Sequence, residues 1–370
     1  MAKIALYLAG GGARGAYQAG VLKAISQILK TKTLPFTMIS GASVGSINAA
    51  ILSEYADDFT QGVEKLEALW QTIHCDDIFH AKNYDLSKSI LRNLSYFFMR
   101  GPRPTHLLET TPLHEFLKRN VDFEKIKNNI VDHHYLDTLE IITHCYETQQ
   151  TISFYQHKDD QFEDWHCPRH ISQASTLELN HILASSALPL FFPPIKISDM
   201  HYGDGSMGLI SPLRGALRFQ VDKVLILGTR QIHTIDDIEK LKAKDIGFAH
   251  VLGSMLNGLF LDNLDRDVEL VNRMNDISHL LSVWKKRNNL WRPIETLHLR
   301  PSTDIAKIAQ ADYHAMPKLL RLLLNILGAQ SHSGDLLSFL LFESTFTQDL
   351  ITLGYNDTMQ SADSVVHFFK

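Results

Sequence analysis

The chain opens on a short apolar run, Lys3 to Ala9, the length of a strand buried on both faces. Glycines between positions 10 and 15 break it. From Ala16 onward, Val21, Leu22, Ile25, Ile28 and Leu29 recur at helical spacing and predict an amphipathic helix. Pro35 marks a loop, and Phe36 to Ser40 read as a second short strand. A second glycine-bounded break, Gly41 to Gly45, leads into Val44, Ile47, Ile51 and Leu52, again at helical spacing. A βαβα start of this kind predicts a parallel sheet covered by helices.

Residues 60–131 read as mostly helical around a looser stretch at Gly101-Pro102-Arg103-Pro104. Thr111-Pro112 predicts a helix N-cap followed by proline in the first turn. Leu139 to Tyr146 and Thr151 to Tyr155 predict a hairpin. Leu177 to Ala187 predicts a helix that stops at Pro189, and Ile195 to Tyr202 a strand running into Gly203-Asp204-Gly205. Ser211-Pro212 opens a further helix, and Lys223 to Leu227 is a buried strand. Beyond residue 230 the pattern turns helical. Leu252, Leu256, Phe260, Leu264, Val268 and Val271 trace one stripe, followed by Leu319 to Leu327, Leu336 to Phe342 and Ser364 to Phe369. The division this predicts is an α/β unit over residues 1–230 and a helical region over residues 231–370 packed on it.

Composition narrows the function classes. Apolar residues make up 45% and charged residues 21% of 370, which fits a globular chain and excludes a disordered or coiled-coil one. A net charge of −5 supplies no excess of cations to neutralise phosphates, so no nucleic-acid partner is expected. Three scattered cysteines, Cys75, Cys145 and Cys167, make no disulfide framework and read as free thiols of a reducing compartment. No run reaches the roughly 18 apolar residues of a membrane span, and the first residues lack a signal-peptide pattern. The expected location is cytoplasmic, or peripheral on a membrane.

Three turns carry candidate chemistry. Gly10-Gly11-Gly12-Ala13-Arg14-Gly15 lies between a strand and a helix and satisfies the dinucleotide pattern G-x-G-x-x-G. That pattern also wants an acidic residue some 20 positions on for the ribose, and residues 33–40, TLPFTMIS, contain none. The other use of such a loop is to aim backbone N–H groups at a developing anion, with the helix N-terminus adding a favourable dipole. Gly41-Ala42-Ser43-Val44-Gly45 is G-x-S-x-G at a strand-to-helix turn, the setting of a nucleophile elbow. A plain helix N-cap is the other role open to Ser43. Only one strand and one helix precede Ser43, too few for the Ser-Asp-His order of an α/β-hydrolase, so its base need not be a histidine. Asp204-Gly205 follows a strand and reads locally as a turn.

Taken together and in order, GGGARG, GASVG and Asp204-Gly205-Ser206 resemble the patatin-like phospholipases over roughly residues 4–230. ASSALPLFFPPI at 184–195 resembles that family's segment upstream of its aspartate. The resemblance implies a three-layer α/β/α fold with a mainly parallel sheet, and a Ser-Asp dyad. In that dyad Ser43 is the nucleophile and Asp204 the base. It implies an oxyanion hole at Gly10, Gly11 and Gly12, with Arg14 fixing the loop or favouring an anionic substrate. Gly15, Gly41, Gly45 and Gly205 support the turns. The implied substrate is a phospholipid or another acyl-ester lipid, reached by transient contact with a membrane surface. No cofactor and no metal are implied. Two departures are visible. Ser206 stands where the family more often has glycine or alanine, and, being small, is expected to have little effect. The stretch after it reaches Pro212 without the asparagine expected near position 211. A nucleotide-dependent oxidoreductase and a non-catalytic lipid-binding adaptor are the alternatives.

Other features read as structural. His166-Cys167-Pro168-Arg169-His170 holds two metal-ligating side-chain types, but Pro168 breaks any helical spacing, and a polar loop is expected. His201, three residues before Asp204, is on the wrong spacing to share its strand face. Leu319 to Leu324 and the stripe at 252–271 are expected to pack on the α/β unit. Arg92, Arg100 and Arg103 beside Phe97, Phe98 and Met99 make a candidate interfacial lid.

Overall fold

The computed structural model describes residues 2–80, 105–232, 248–260, 262–280, 293–326 and 334–370. In chain order the first half holds β1 (Ile4–Leu8), a 3-10 turn (Gly12–Gly15), α1 (Ala16–Leu29), β2 (Met38–Ala42), α2 (Val44–Glu54), α3 (Phe59–Thr72) and α4 (Cys75–Ile78). Next come α5 (Thr111–Asn120), α6 (Phe123–Val131), β3 (Thr138–Cys145), β4 (Gln150–His157), β5 (His166–Cys167), β6 (His170–Ala174), α7 (Leu179–Ser185), β7 (Ile195–Ile197), β8 (Met200–Asp204), α8 (Arg214–Arg218) and β9 (Lys223–Leu227). The remainder holds α9 (Phe248–Phe260), α10 (Asp262–Leu280), β10 (Glu295–Leu299), α11 (Ile305–Ala311), a 3-10 turn (Tyr313–Ala315), α12 (Lys318–Ile326), α13 (Gly334–Leu340), α14 (Ser344–Gln360) and α15 (Ala362–Phe369).

One sheet runs through the molecule in the order β10-β9-β1-β2-β3-β4-β6-β5, with β8 paired to β3 and β7 to β8. From β10 to β3 every pairing is parallel, and β3–β4 is the predicted antiparallel hairpin. Strand alternation sends Leu6, Leu8, Ile39, Ile141 and Leu225 into one core, and Tyr7, Met38, Ala42, Ile142 and Val224 into the other. Helices cover both faces, as the α/β/α expectation required. The larger layer includes α1, α2, α3 and α14, and the smaller is built on α8 and α10.

Several details differ from the pattern reading. The region after residue 230 is mainly helical but adds β10, whose short Glu-Thr-Leu-His-Leu run carries little apolar alternation; it extends the sheet beside β9. The stripe at 252–271 does not line one face. Leu252 and Leu256 join the larger core, while Leu264 and Val271 join the smaller. The expected strand Ile195 to Tyr202 is two strands, because Ser198 adopts φ 53° and the chain reverses there into a β7–β8 hairpin. α14 packs along α1, so the C-terminal helices form part of the main layer.

Candidate functional site

The site forms where three loops leave the same end of the sheet. Ser43 sits between β2 and α2 with φ 54° and ψ −131°, a backbone conformation costly for a residue with a side chain. That turn projects the side chain off the end of the strand. The turn is held from several sides. Ser43 donates its N–H to Ser185 Oγ at 2.9 Å, and its carbonyl accepts from Ser46 Oγ at 2.6 Å and Ser186 Oγ at 3.2 Å. Ser185 in turn donates to the Ile142 carbonyl at 2.6 Å, which ties the elbow to β3.

β8 delivers Asp204. It pairs antiparallel with β3, Asp204 opposite Thr143, and the chain turns at once, with Gly205 donating to the Ser185 carbonyl at 3.0 Å. Ser43 Oγ donates to Asp204 Oδ2 at 2.5 Å, and Ser206 N–H donates to Oδ1 at 2.9 Å. Asp204 is fully buried. Loss of water pushes its carboxyl up to about 7, against the opposing pull of the Ser43 and Ser206 hydrogen bonds.

The glycine loop closes the third side. Gly11 and Gly12 take φ 147° and 58°, which side chains rarely adopt. A Cβ on Gly10 would strike Ser206 Oγ and press on Ser43 Cβ, so only glycine lets this loop come so near the pair. Thr229, at the end of β9, donates to the Gly10 carbonyl at 2.7 Å and turns that acceptor away. Among the described residues, the N–H groups of Gly11 and Gly12 have no protein acceptor. Ser43 N–H is already engaged by Ser185. Three of the remaining motif glycines sit under backbone, Gly41 against Gly45, Gly45 against the Leu8 carbonyl and Gly205 against the Ile142 carbonyl, while Gly15 sits against the Val44 side chain.

Arg14 does not face Ser43. It is 2% exposed and lies on α13, donating from Nε to Ser338 Oγ at 2.8 Å and pairing through Nη2 with Asp335 at 3.2 Å. Its guanidinium stacks over Phe339, 4.4 Å from the ring centre. Of its two expected roles, the contacts match loop fixing. Phe339 also presses its carbonyl against Gly12. The glycine loop is therefore braced by a helix more than 300 residues downstream, a link no local pattern announced.

Beside Ser43 an apolar cleft is lined by Val44, Ile47, Leu113, Leu188, Phe192 and Phe342. No asparagine stands near position 211. Asp267 of α10, buried, accepts from Ser211 Oγ at 3.0 Å and from Leu213 N–H at 2.8 Å, and so holds the loop after Asp204. His201 pairs with Glu147, not with Asp204. His170 is buried beside Ser153, and no cluster of metal-ligating side chains occurs among the described residues. The candidate lid at 92–103 lies outside them. All three cysteines are free and buried.

A family model for patatin-like phospholipase matches residues 6–217, more than half of the chain. The chain belongs to the patatin-like phospholipase family. It is thereby a member of a family of lipid acyl hydrolases, which leaves the oxidoreductase alternative without support. No curated protein sequence matches it. Among solved structures, VipD from Legionella pneumophila is similar, with 12% identity and a TM-score of 0.34. That likeness covers 98% of this chain and 67% of VipD, and at such a score it carries no weight here.

Proposed function

We propose that this protein is a serine acyl-ester hydrolase that releases fatty acid from phospholipid or a related lipid, with Ser43 as nucleophile and Asp204 as base. The observation that carries the reading is the 2.5 Å contact from Ser43 Oγ to a buried carboxyl beside an apolar cleft. An ordinary carboxylate is too weak a base for work near neutrality, and a carboxyl raised to about 7 is matched to it. In the first step Asp204 takes the hydroxyl proton as Ser43 Oγ adds to the ester carbonyl carbon. The carbonyl oxygen becomes an oxyanion, within reach of the Gly11 and Gly12 N–H groups. Collapse breaks the bond to the leaving alcohol, which takes the proton from Asp204 and departs as an alcohol or lysophospholipid. Water, deprotonated by the same carboxylate, then hydrolyses the acyl-Ser43 ester. The cleft's lining of aliphatic and aromatic side chains matches an acyl chain in polarity.

No helix among the described residues is long and apolar enough to cross a membrane, which agrees with a peripheral contact to lipid. The test is covalent labelling with a fluorophosphonate probe together with turnover of a short-chain nitrophenyl ester. Wild type labels and turns over; Ser43→Ala does neither. Sustained turnover by Ser43→Ala would refute the assignment.

A further inference from the structure

We propose that Ser206 is a positioning residue for this pair, its hydroxyl a second donor that engages the Asp204 carboxylate when the carboxylate is charged. The inference rests on the reading of Ser43 and Asp204 given above. Ser206 is 3% exposed, and among the described residues its hydroxyl makes no hydrogen bond of ordinary length and angle, although it lies near enough to Asp204 to help hold that carboxyl down. A buried hydroxyl without a partner costs on the order of 1–3 kcal/mol, so its retention at this position calls for an occasion on which it is satisfied. The position supplies one. The backbone N–H of Ser206 already holds Asp204 Oδ1 at 2.9 Å, and its Oγ lies where a Cβ on Gly10 would stand. Rotation about one bond brings the hydroxyl proton toward Oδ1.

The surroundings explain why a neutral donor matters. Tyr7 of β1 and Tyr146, just after β3, both feel the Asp204 charge, and both hydroxyls are pushed up by burial and so stay neutral. His144 of β3, opposite Gly203, is pushed down by burial and is neutral as well. The β2–α2 turn contributes Ser43 and α7 contributes Ser185. Arg14, the cation of the glycine loop, is held on Asp335. Among the described residues the hydrogen bonds to Asp204 come from neutral donors, the Ser43 hydroxyl and the Ser206 N–H, and the Ser206 hydroxyl would add a third; Glu140 and Asp267, the other carboxyls that act on Tyr7 alongside Asp204, supply no cation. When Ser43 is acylated its hydroxyl is gone, and Ser206 holds the only hydroxyl left among these three donors. Alanine or glycine at this position keeps the N–H and gives up the hydroxyl.

The experiment compares wild type and Ser206→Ala by the pH dependence of kcat/KM for a nitrophenyl ester, and by the pH dependence of fluorophosphonate labelling at Ser43. Removing a donor to the charged form makes ionisation harder. The expected result is an acid limb displaced upward by about one pH unit in both profiles, a roughly tenfold loss at pH 6 that shrinks as pH rises. Burst kinetics should show deacylation slowed more than acylation. An acid limb that stays in place in both profiles would overturn the proposal, because a space-filling role does not move it. A Ser206→Ala protein that fails to fold is replaced by Ser206→Gly, which keeps the loop's N–H and removes the same hydroxyl. Turnover that survives Ser43→Ala would instead remove the reading of the site itself, and is seen without any Ser206 variant.

Discussion

Two fully buried carboxyls in this fold each accept a serine hydroxyl, and only one belongs to the candidate site. Asp204 accepts from Ser43 Oγ at 2.5 Å, and Glu140 of β3 accepts from Ser40 Oγ of β2 at 2.6 Å. Both are fully buried, and burial raises both. Hydrogen bonding and electrostatics alone do not separate them. Backbone and access do. Ser40 lies within β2, in register with Glu140, and the carboxyl is pressed against Gly215 of α8. Ser43 stands one turn later at φ 54°, off the strand end, on an apolar cleft and beside the loop N–H groups. On the proposed reading, what sets Ser43 apart from Ser40 is its strained place off the strand end beside an apolar cleft.

The sharpest way to break that comparison is to exchange its members. Ser43→Ala should lower ester turnover by at least about a thousandfold, whereas Ser40→Ala should keep it within a few-fold. Comparable losses from the two would mean that the geometry at the elbow is not decisive. A smaller effect is expected where α13 braces the glycine loop. Arg14→Met removes the Ser338 and Asp335 contacts and the stacking on Phe339, and should lower kcat about tenfold with KM little changed. An unchanged kcat would show that the brace serves stability alone.

The smallest effect concerns stability against pH. A carboxyl whose folded-state pKa is raised stabilises the fold while protonated, and that contribution is lost as pH climbs through the raised value. For Asp204 the loss runs from about pH 4 to about 7, and moving a carboxyl that far costs on the order of 4 kcal/mol at most. Asp204→Asn should therefore be inactive yet melt higher than wild type at pH 8, with the gap closing toward pH 4. Glu140→Gln should also gain stability in alkali, but stay active. Thermal melts at pH 5 and pH 8 read both; an Asp204→Asn protein that melts lower at pH 8 would contradict the account of its burial.

Much of this was legible where the signal is local. The strand Lys3 to Ala9, the helix from Ala16 and the hairpin near 139–155 stand as their periodicity reads, because apolar spacing reports directly on which face is buried. The reversal at Ser198 was missed because a Ser-Asp pair is a weak turn signal beside Asn-Gly or Asp-Gly. The stripe at 252–271 misled because two helices facing opposite cores can share one spacing. Asp267, Thr229 and Asp335 carry no motif, and Ser185 lies in a family-like block without a role legible from it. Each acts on a loop that lies beside it only in the folded chain.

What the sequence determined by itself is the βαβα start, the two strained turns and the small residues that permit them, since each depends on neighbours within a few positions. The family followed from the order of its blocks. The tertiary structure alone decided the rest. It brings Ser43 to Asp204 across 161 positions and Arg14 to Asp335 across 321. It also decides which of two buried carboxyls meets a cleft. Burial and desolvation arise only when distant segments exclude water together, and it is desolvation that lifts Asp204 to about 7.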